Sequence, residues 1–202
     1  MTQATTDRAI LIIDDGAPAS LAACLLCEDT ASSLLWIPQD LPAPRSPRIE
    51  AVRRHADLLG FPAPLEAAEH PQPPLAIPRM LLAAASEAGR RGCPRVIWPI
   101  HHGDDLDDMA RAADQAALLT HLARLEGDSP AHTPVSIHTP FLDLTDDQLI
   151  DLARDLDLPA EACWWCERES PEPCARCDSC RRWSPLLSIG RHSPAPARGA
   201  TV

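Results

Sequence analysis

Four cysteines near the C-terminal end constrain this chain more than any other feature. Cys166, Cys174, Cys177 and Cys180 stand in a C-x7-C-x2-C-x2-C spacing. Two-residue gaps let one turn of backbone present several sulfurs to a single ion, and four soft thiolates suit tetrahedral Zn²⁺. A zinc ion with four protein ligands keeps no open position, so such a site holds structure together and does no chemistry. Three other readings compete with zinc. A disulfide framework needs an oxidising compartment, and the N-terminal stretch lacks the basic n-region of a secretory signal. An iron–sulfur run begins the same way but continues to a further cysteine, where this chain has Ser184. Unrelated buried thiols are the third. Cys163 forms another two-residue gap with Cys166; Cys166 is the expected ligand, with Cys163 a buried or spare thiol.

The 202 residues are enough for one compact domain with a small appendage. No apolar run approaches the length of a membrane span. The expected compartment is the cytoplasm, where thiols stay reduced and free to bind metal. A net charge of −11 argues against a large phosphate-backbone interface. The chain has no lysine and no tyrosine, which excludes Schiff-base chemistry, a Walker lysine and a tyrosine acid or base.

Hydrophobic patterning orders the rest. Ala9–Ile13 reads as a buried strand, Asp14–Ala19 as a turn, and Ser20–Glu28 as a helix capped by Ser20. Ser33–Ile37 returns as a strand. After a proline-rich link, Arg48–Gly60 has helical spacing of its apolar residues and a closing glycine. Phe61–Pro78 reads as an extended surface connection, and Pro78–Ala88 as a helix closed by Gly89. Val96–Ile100 is a third strand, leading into His101-His102-Gly103-Asp104-Asp105. Leu106–Leu125 is a long helix and Val135–His138 a strand or extended lead. Thr145 and Gln148 have capping-box spacing ahead of another helix. The expected units are an α/β domain at 8–160, a zinc knuckle at 161–183 and a disordered tail at 184–202. Trp164 and Trp165 are expected to pack the knuckle against the sheet.

In open parallel sheets, ligands bind beyond the C-terminal strand ends. Two loops qualify: Asp14–Ser20 and His101–Asp105. Asp14, Asp15, Gly16 and Ser20 in the first, and Asp104 and Asp105 in the second, are the candidate nucleotide- or Mg²⁺-contacting residues. The acidic residues also fit an ordinary helix start, where they complement the dipole.

Several segments together resemble one family. They are Thr139-Pro140-Phe141 with Leu144-Thr145, then Trp165-Cys166, then Cys174-Ala175-Arg176-Cys177-Asp178-Ser179-Cys180-Arg181. This order is similar to 7-cyano-7-deazaguanine synthase, of the PP-loop ATP pyrophosphatase (adenine nucleotide alpha-hydrolase) superfamily. The resemblance implies a three-layer α/β/α sandwich with a mostly parallel sheet and a C-terminal zinc knuckle. It further implies ATP- and Mg²⁺-dependent formation of a nitrile from 7-carboxy-7-deazaguanine and ammonia, in queuosine biosynthesis. A nucleotide or deazapurine and a second copy of the chain are the expected partners; a membrane and nucleic acid are not.

The chain departs from that family's Ser-Gly-Gly-x-Asp-Ser loop, reading Asp14-Asp15-Gly16-Ala17-Pro18-Ala19-Ser20 instead. Only Gly16 and, with a shift, Ser20 carry over. Two carboxylates stand where amides and a hydroxyl would meet a pyrophosphate, and Pro18 removes one amide donor. Asp146 replaces the lysine after Leu-Thr. Two functional readings follow: an ATP-dependent carbon–nitrogen ligase, or a catalytically inactive, zinc-stabilised descendant that binds or scaffolds. No catalytic residue is assigned by either.

Overall fold

A computed structural model describes residues 9–38, 46–66, 75–125, 133–168 and 172–189. Five short parallel strands form its centre: β1 (Ile10–Ile13), β2 (Leu34–Ile37), β3 (Leu65–Glu66), β4 (Arg95–Ile97) and β5 (Ser136–His138). Their spatial order is β3-β2-β1-β4-β5, with Ile12 opposite Leu35 on one side and Ile97 on the other. Parallel pairing demands crossovers, supplied by α1 (Pro18–Leu25), α2 (Pro47–Leu59), α3 (Ala76–Arg91) and α4 (Leu106–Leu125). Two more helices follow, α5 (Asp146–Asp155) and α6 (Asp178–Ile189).

Period-two alternation divides the buried residues between two faces. Ile10, Ile12, Leu35 and Ile37 pack on α1, α2, α5 and the cysteine segment. Leu11, Ile13, Trp36 and Val96 pack on α3 and α4 through Leu81, Ala84, Ala88, Ala112 and Ala116. The result is the three-layer α/β/α sandwich expected from the sequence. Cys163, Trp165, Cys166, Cys180 and Trp183 lie in the first of these cores, so the knuckle is continuous with the sheet's own packing.

Several local readings hold. Thr145 and Gln148 exchange the two hydrogen bonds of a capping box, at 3.2 and 2.8 Å. Gly60 closes α2 in the left-handed region. Others shift for identifiable reasons. Helix α1 starts at Pro18, whose fixed φ suits a first turn, so Ser20 lies inside the helix and is not its cap. Strand β4 ends at Ile97 and not Ile100, because Pro99 has no N–H for the ladder. Helix α3 begins at Ala76, before Pro78, and passes Gly89 to end at Gly92. Within Phe61–Pro78, Leu65–Glu66 is not a free connection but pairs with Trp36 and Ile37 as β3. Helix α6 continues beyond Trp183 to Ile189; positions 190–202 lie outside the described residues.

Candidate functional site

Strand β1 has β2 on one side and β4 on the other, with chain connections departing in opposite directions. The crevice beyond their C-terminal ends is where open α/β sheets bind ligands. A cleft of about 240 Å³ occupies that position, lined by Ile13, Asp15, Ser20, Arg48, Trp98 and His101 among others. Helix α6 contributes Ser179, Arg182 and Trp183, so the cysteine segment forms one wall.

The loop Asp14–Ser20 forms the floor, and its two carboxylates have opposite fates. Asp14 is fully buried. Its Oδ1 accepts from the Gly16 amide at 2.8 Å and its Oδ2 from His55 Nδ1 at 2.9 Å. Asp15 faces the cleft, where its Oδ1 accepts from the Ala17 amide at 3.0 Å and the Ser20 hydroxyl at 2.8 Å. Arg48 reaches its Oδ2 at 3.5 Å. Gly16 has φ +82°, and a Cβ there would stand 2.6 Å from the Arg48 carbonyl oxygen. Its own carbonyl accepts from the Trp164 amide at 2.7 Å, joining the loop to the knuckle.

Asp104 and Asp105 are exposed and do not line this cleft. Asp105 Oδ1 accepts from the Asp108 amide at 3.0 Å at the start of α4, the ordinary role of an acidic residue there. Neither joins a group with metal-ligand spacing among the described residues. The loop residues Asp15 and Ser20 therefore meet at the cleft, whereas Asp14, Asp104 and Asp105 do not.

His101 sits at the cleft's edge, its side chain 3% exposed. Its Nε2 donates to the Leu144 carbonyl at 2.9 Å, while Nδ1 faces Asp146 Oδ1 at 3.6 Å. Burial lowers its pKa below the usual histidine value, against the opposing Leu144 hydrogen bond. Arg182 Nε pairs with the same Asp146 oxygen at 3.1 Å. The sequence reading missed Arg48, Trp98 and Trp183 as cleft residues. Nothing in their local spacing marks them; only packing brings them together.

The four cysteines Cys166, Cys174, Cys177 and Cys180 place their sulfurs within 4.8 Å of one another. Tetrahedral zinc with Zn–S bonds of about 2.3 Å needs sulfurs roughly 3.8 Å apart, and Cys174 Sγ and Cys180 Sγ are 3.9 Å apart. Backbone amides already point at the sulfurs: Arg168 and Cys174 at Cys166 Sγ, both at 3.4 Å, and Cys180 at Cys177 Sγ, at 3.3 Å. Amides of Arg176 and Cys177 hold Cys174 down at about 6, favouring the thiolate a metal requires. Ala175, with φ +55°, turns the backbone sharply between two of these residues. The cluster is capable of coordinating zinc. Cys163 is outside it, buried nearer Asp14. No helix among the described residues is long and apolar enough to cross a membrane.

The sequence profile described as "Queuosine biosynthesis protein QueC" matches residues 80–186, which include the knuckle but not the Asp14–Ser20 loop. The 7-cyano-7-deazaguanine synthase of Prochlorococcus marinus subsp. pastoris (strain CCMP1986 / NIES-2087 / MED4) is 41% identical over 63 residues, covering 31% of this chain and 27% of that protein. That of Archaeoglobus fulgidus is 27% identical over 122 residues, 57% of this chain and 47% of that protein. That of Thermosynechococcus vestitus is 34% identical over 64 residues, 31% of this chain and 28% of that protein. The chain thus spans from about a quarter to about half of the length of these relatives. With the parallel sandwich, the crevice at β1 and β4 and the cysteine knuckle, the match places the chain in the QueC family of the PP-loop ATP-pyrophosphatase superfamily.

Proposed function

We propose that this protein is a zinc-stabilised QueC-family member that binds a small planar ligand of the nucleotide or deazapurine class without ATP turnover. One observation carries this reading: the groups that would cradle a pyrophosphate are already occupied by carboxylates. The Gly16 amide is spent on Asp14, and the Ala17 amide and Ser20 hydroxyl on Asp15. Pro18 supplies no amide. A polyphosphate entering here meets the Asp15 carboxylate, and like charge in a partly buried site is repulsive by several kcal/mol, on the order of 4 at 4 Å.

What remains suits an aromatic heterocycle with donors on one edge and an anionic group on another. Trp98 and Trp183 offer flat apolar surface, Asp15 accepts hydrogen bonds, and Arg48 and Arg182 attract a carboxylate. Zinc held by Cys166, Cys174, Cys177 and Cys180 anchors α6 and so fixes the wall carrying Arg182 and Trp183. Its chemistry there is structural. The cytoplasm, which keeps thiols reduced, is the compartment this role requires.

A second reading is the ATP- and Mg²⁺-dependent ligase that forms a nitrile from 7-carboxy-7-deazaguanine and ammonia. Family membership and the crevice at the switch point favour it. Calorimetry separates the two. Titration with a 7-deazaguanine carboxylate is expected to give heat of binding, while ATP with Mg²⁺ gives none and releases no AMP. Nucleotide-dependent AMP release would establish the ligase, and silence with both ligands would overturn the binding role.

A second copy of the chain is the proposed macromolecular partner. Leu118, Leu122 and Leu125 form an exposed stripe on α4, with Leu118 67% and Leu125 75% exposed. The helix carries Asp107 and Asp108 in its first turn and Arg124 in its last. Antiparallel pairing about a two-fold axis near Leu122 sets Leu118 of each copy against Leu125 of the other and buries the stripe.

A further inference from the structure

A second group of metal-ligating side chains lies beneath the loop, away from both the knuckle and the open cleft. Asp14 comes from the end of β1, Cys24 from α1 and His55 from α2, and none is more than 1% exposed. Their ligand atoms all lie within 4.8 Å of one another. Asp14 Oδ2 stands 2.9 Å from His55 Nδ1 and 3.8 Å from Cys24 Sγ. Such burial rules out a Cys–His–Asp nucleophile, because no substrate reaches the sulfur.

We propose that Asp14, Cys24 and His55 bind a second zinc ion, sealed under the Asp14–Ser20 loop. The geometry fits the ion. Zinc bonds of about 2.0 Å to nitrogen and oxygen and about 2.3 Å to sulfur give tetrahedral edges of roughly 3.3 Å for N···O and roughly 3.5 Å for S···O. The observed 2.9 and 3.8 Å lie on either side of these values. One thiolate, one imidazole and one carboxylate form a mixed set that zinc accepts and that Mg²⁺ or Ca²⁺ does not favour.

The ion would tie β1, α1 and α2 together at the point where the loop leaves the sheet. In the metal-free protein burial, and then the Asp14 charge, keep the Cys24 thiol protonated. Zinc capture forms the Zn–S bond and releases that proton to solvent. This site does not depend on what the cleft binds.

The test is metal stoichiometry on the full chain purified with zinc. Two zinc ions per chain are expected in the wild type, falling to one in Cys24→Ala and to one in Cys180→Ser. One ion in the wild type, retained by Cys24→Ala and lost in Cys180→Ser, overturns the second site while leaving the knuckle intact. Should Cys24→Ala fail to fold, cobalt titration of the metal-free wild type decides. A first equivalent with the strong absorption of four thiolate bonds, then a second with about a quarter of that intensity, supports the proposal. Saturation at one equivalent overturns it.

Discussion

Asp14 and Asp15 are adjacent and chemically identical, yet one is sealed in the core and the other faces ligand. Successive residues at a strand end point to opposite sides, so one carboxylate must turn inward. Inside, Asp14 survives only because His55, the Gly16 amide and the Cys24 thiol surround it. The turn itself rests on Gly16. A side chain there is strained by its φ of +82° and collides with the Arg48 carbonyl oxygen at 2.6 Å, a backbone atom that cannot rotate away. Gly16→Ala is therefore expected to destabilise the fold by on the order of 2 kcal/mol or more, measured as a lower urea midpoint with an unchanged slope. A wild-type midpoint would mean the loop has another conformation. Both carboxylates were legible in the sequence as candidates, but their division was not, because side-chain direction at a strand end depends on register.

At the scale of elements, α6 links the knuckle to the cleft. Its first residues follow Cys177 and include Cys180, and within two further turns it presents Arg182 and Trp183. Trp183 also meets the His101 ring, with centroids 6.4 Å apart. The helix thus has one end held by sulfur and one face held by the first core. Cys180→Ser removes a ligand and leaves three thiolates around any ion. We expect loss of the knuckle zinc and destabilisation by about 4 kcal/mol or more, with Trp fluorescence shifted to the red as Trp183 becomes hydrated. The opposite layer contains no knuckle residue, so far-UV circular dichroism should retain most of its helical signal below the melting transition. Unchanged zinc content and fluorescence would show that α6 is anchored by packing alone.

At the scale of the whole molecule, the leucine stripe on α4 is an exposed apolar face among the described residues. Its neighbours on the buried side, Ala112, Ala116 and Leu119, explain why the helix docks, but not why Leu118, Leu122 and Leu125 face outward. Pairing with a second α4 accounts for them. Sedimentation at micromolar concentration is expected to give a dimer, converted by Leu118→Glu to a monomer with an unchanged melting profile at low concentration. A monomeric wild type would refute this arrangement. The sequence by itself determined the cysteine spacing, the Thr145 capping box, the α4 span and the strand–helix alternation. Each depends on contacts between residues close along the chain, where covalent geometry and periodicity decide the outcome. Tertiary structure alone decided that Arg48, Trp98 and Arg182 share one cleft, that Asp14 joins Cys24 and His55, and that the proline-rich connection yields β3. Those meetings arise from how distant segments pack, and no local spacing encodes which remote side chains will face each other.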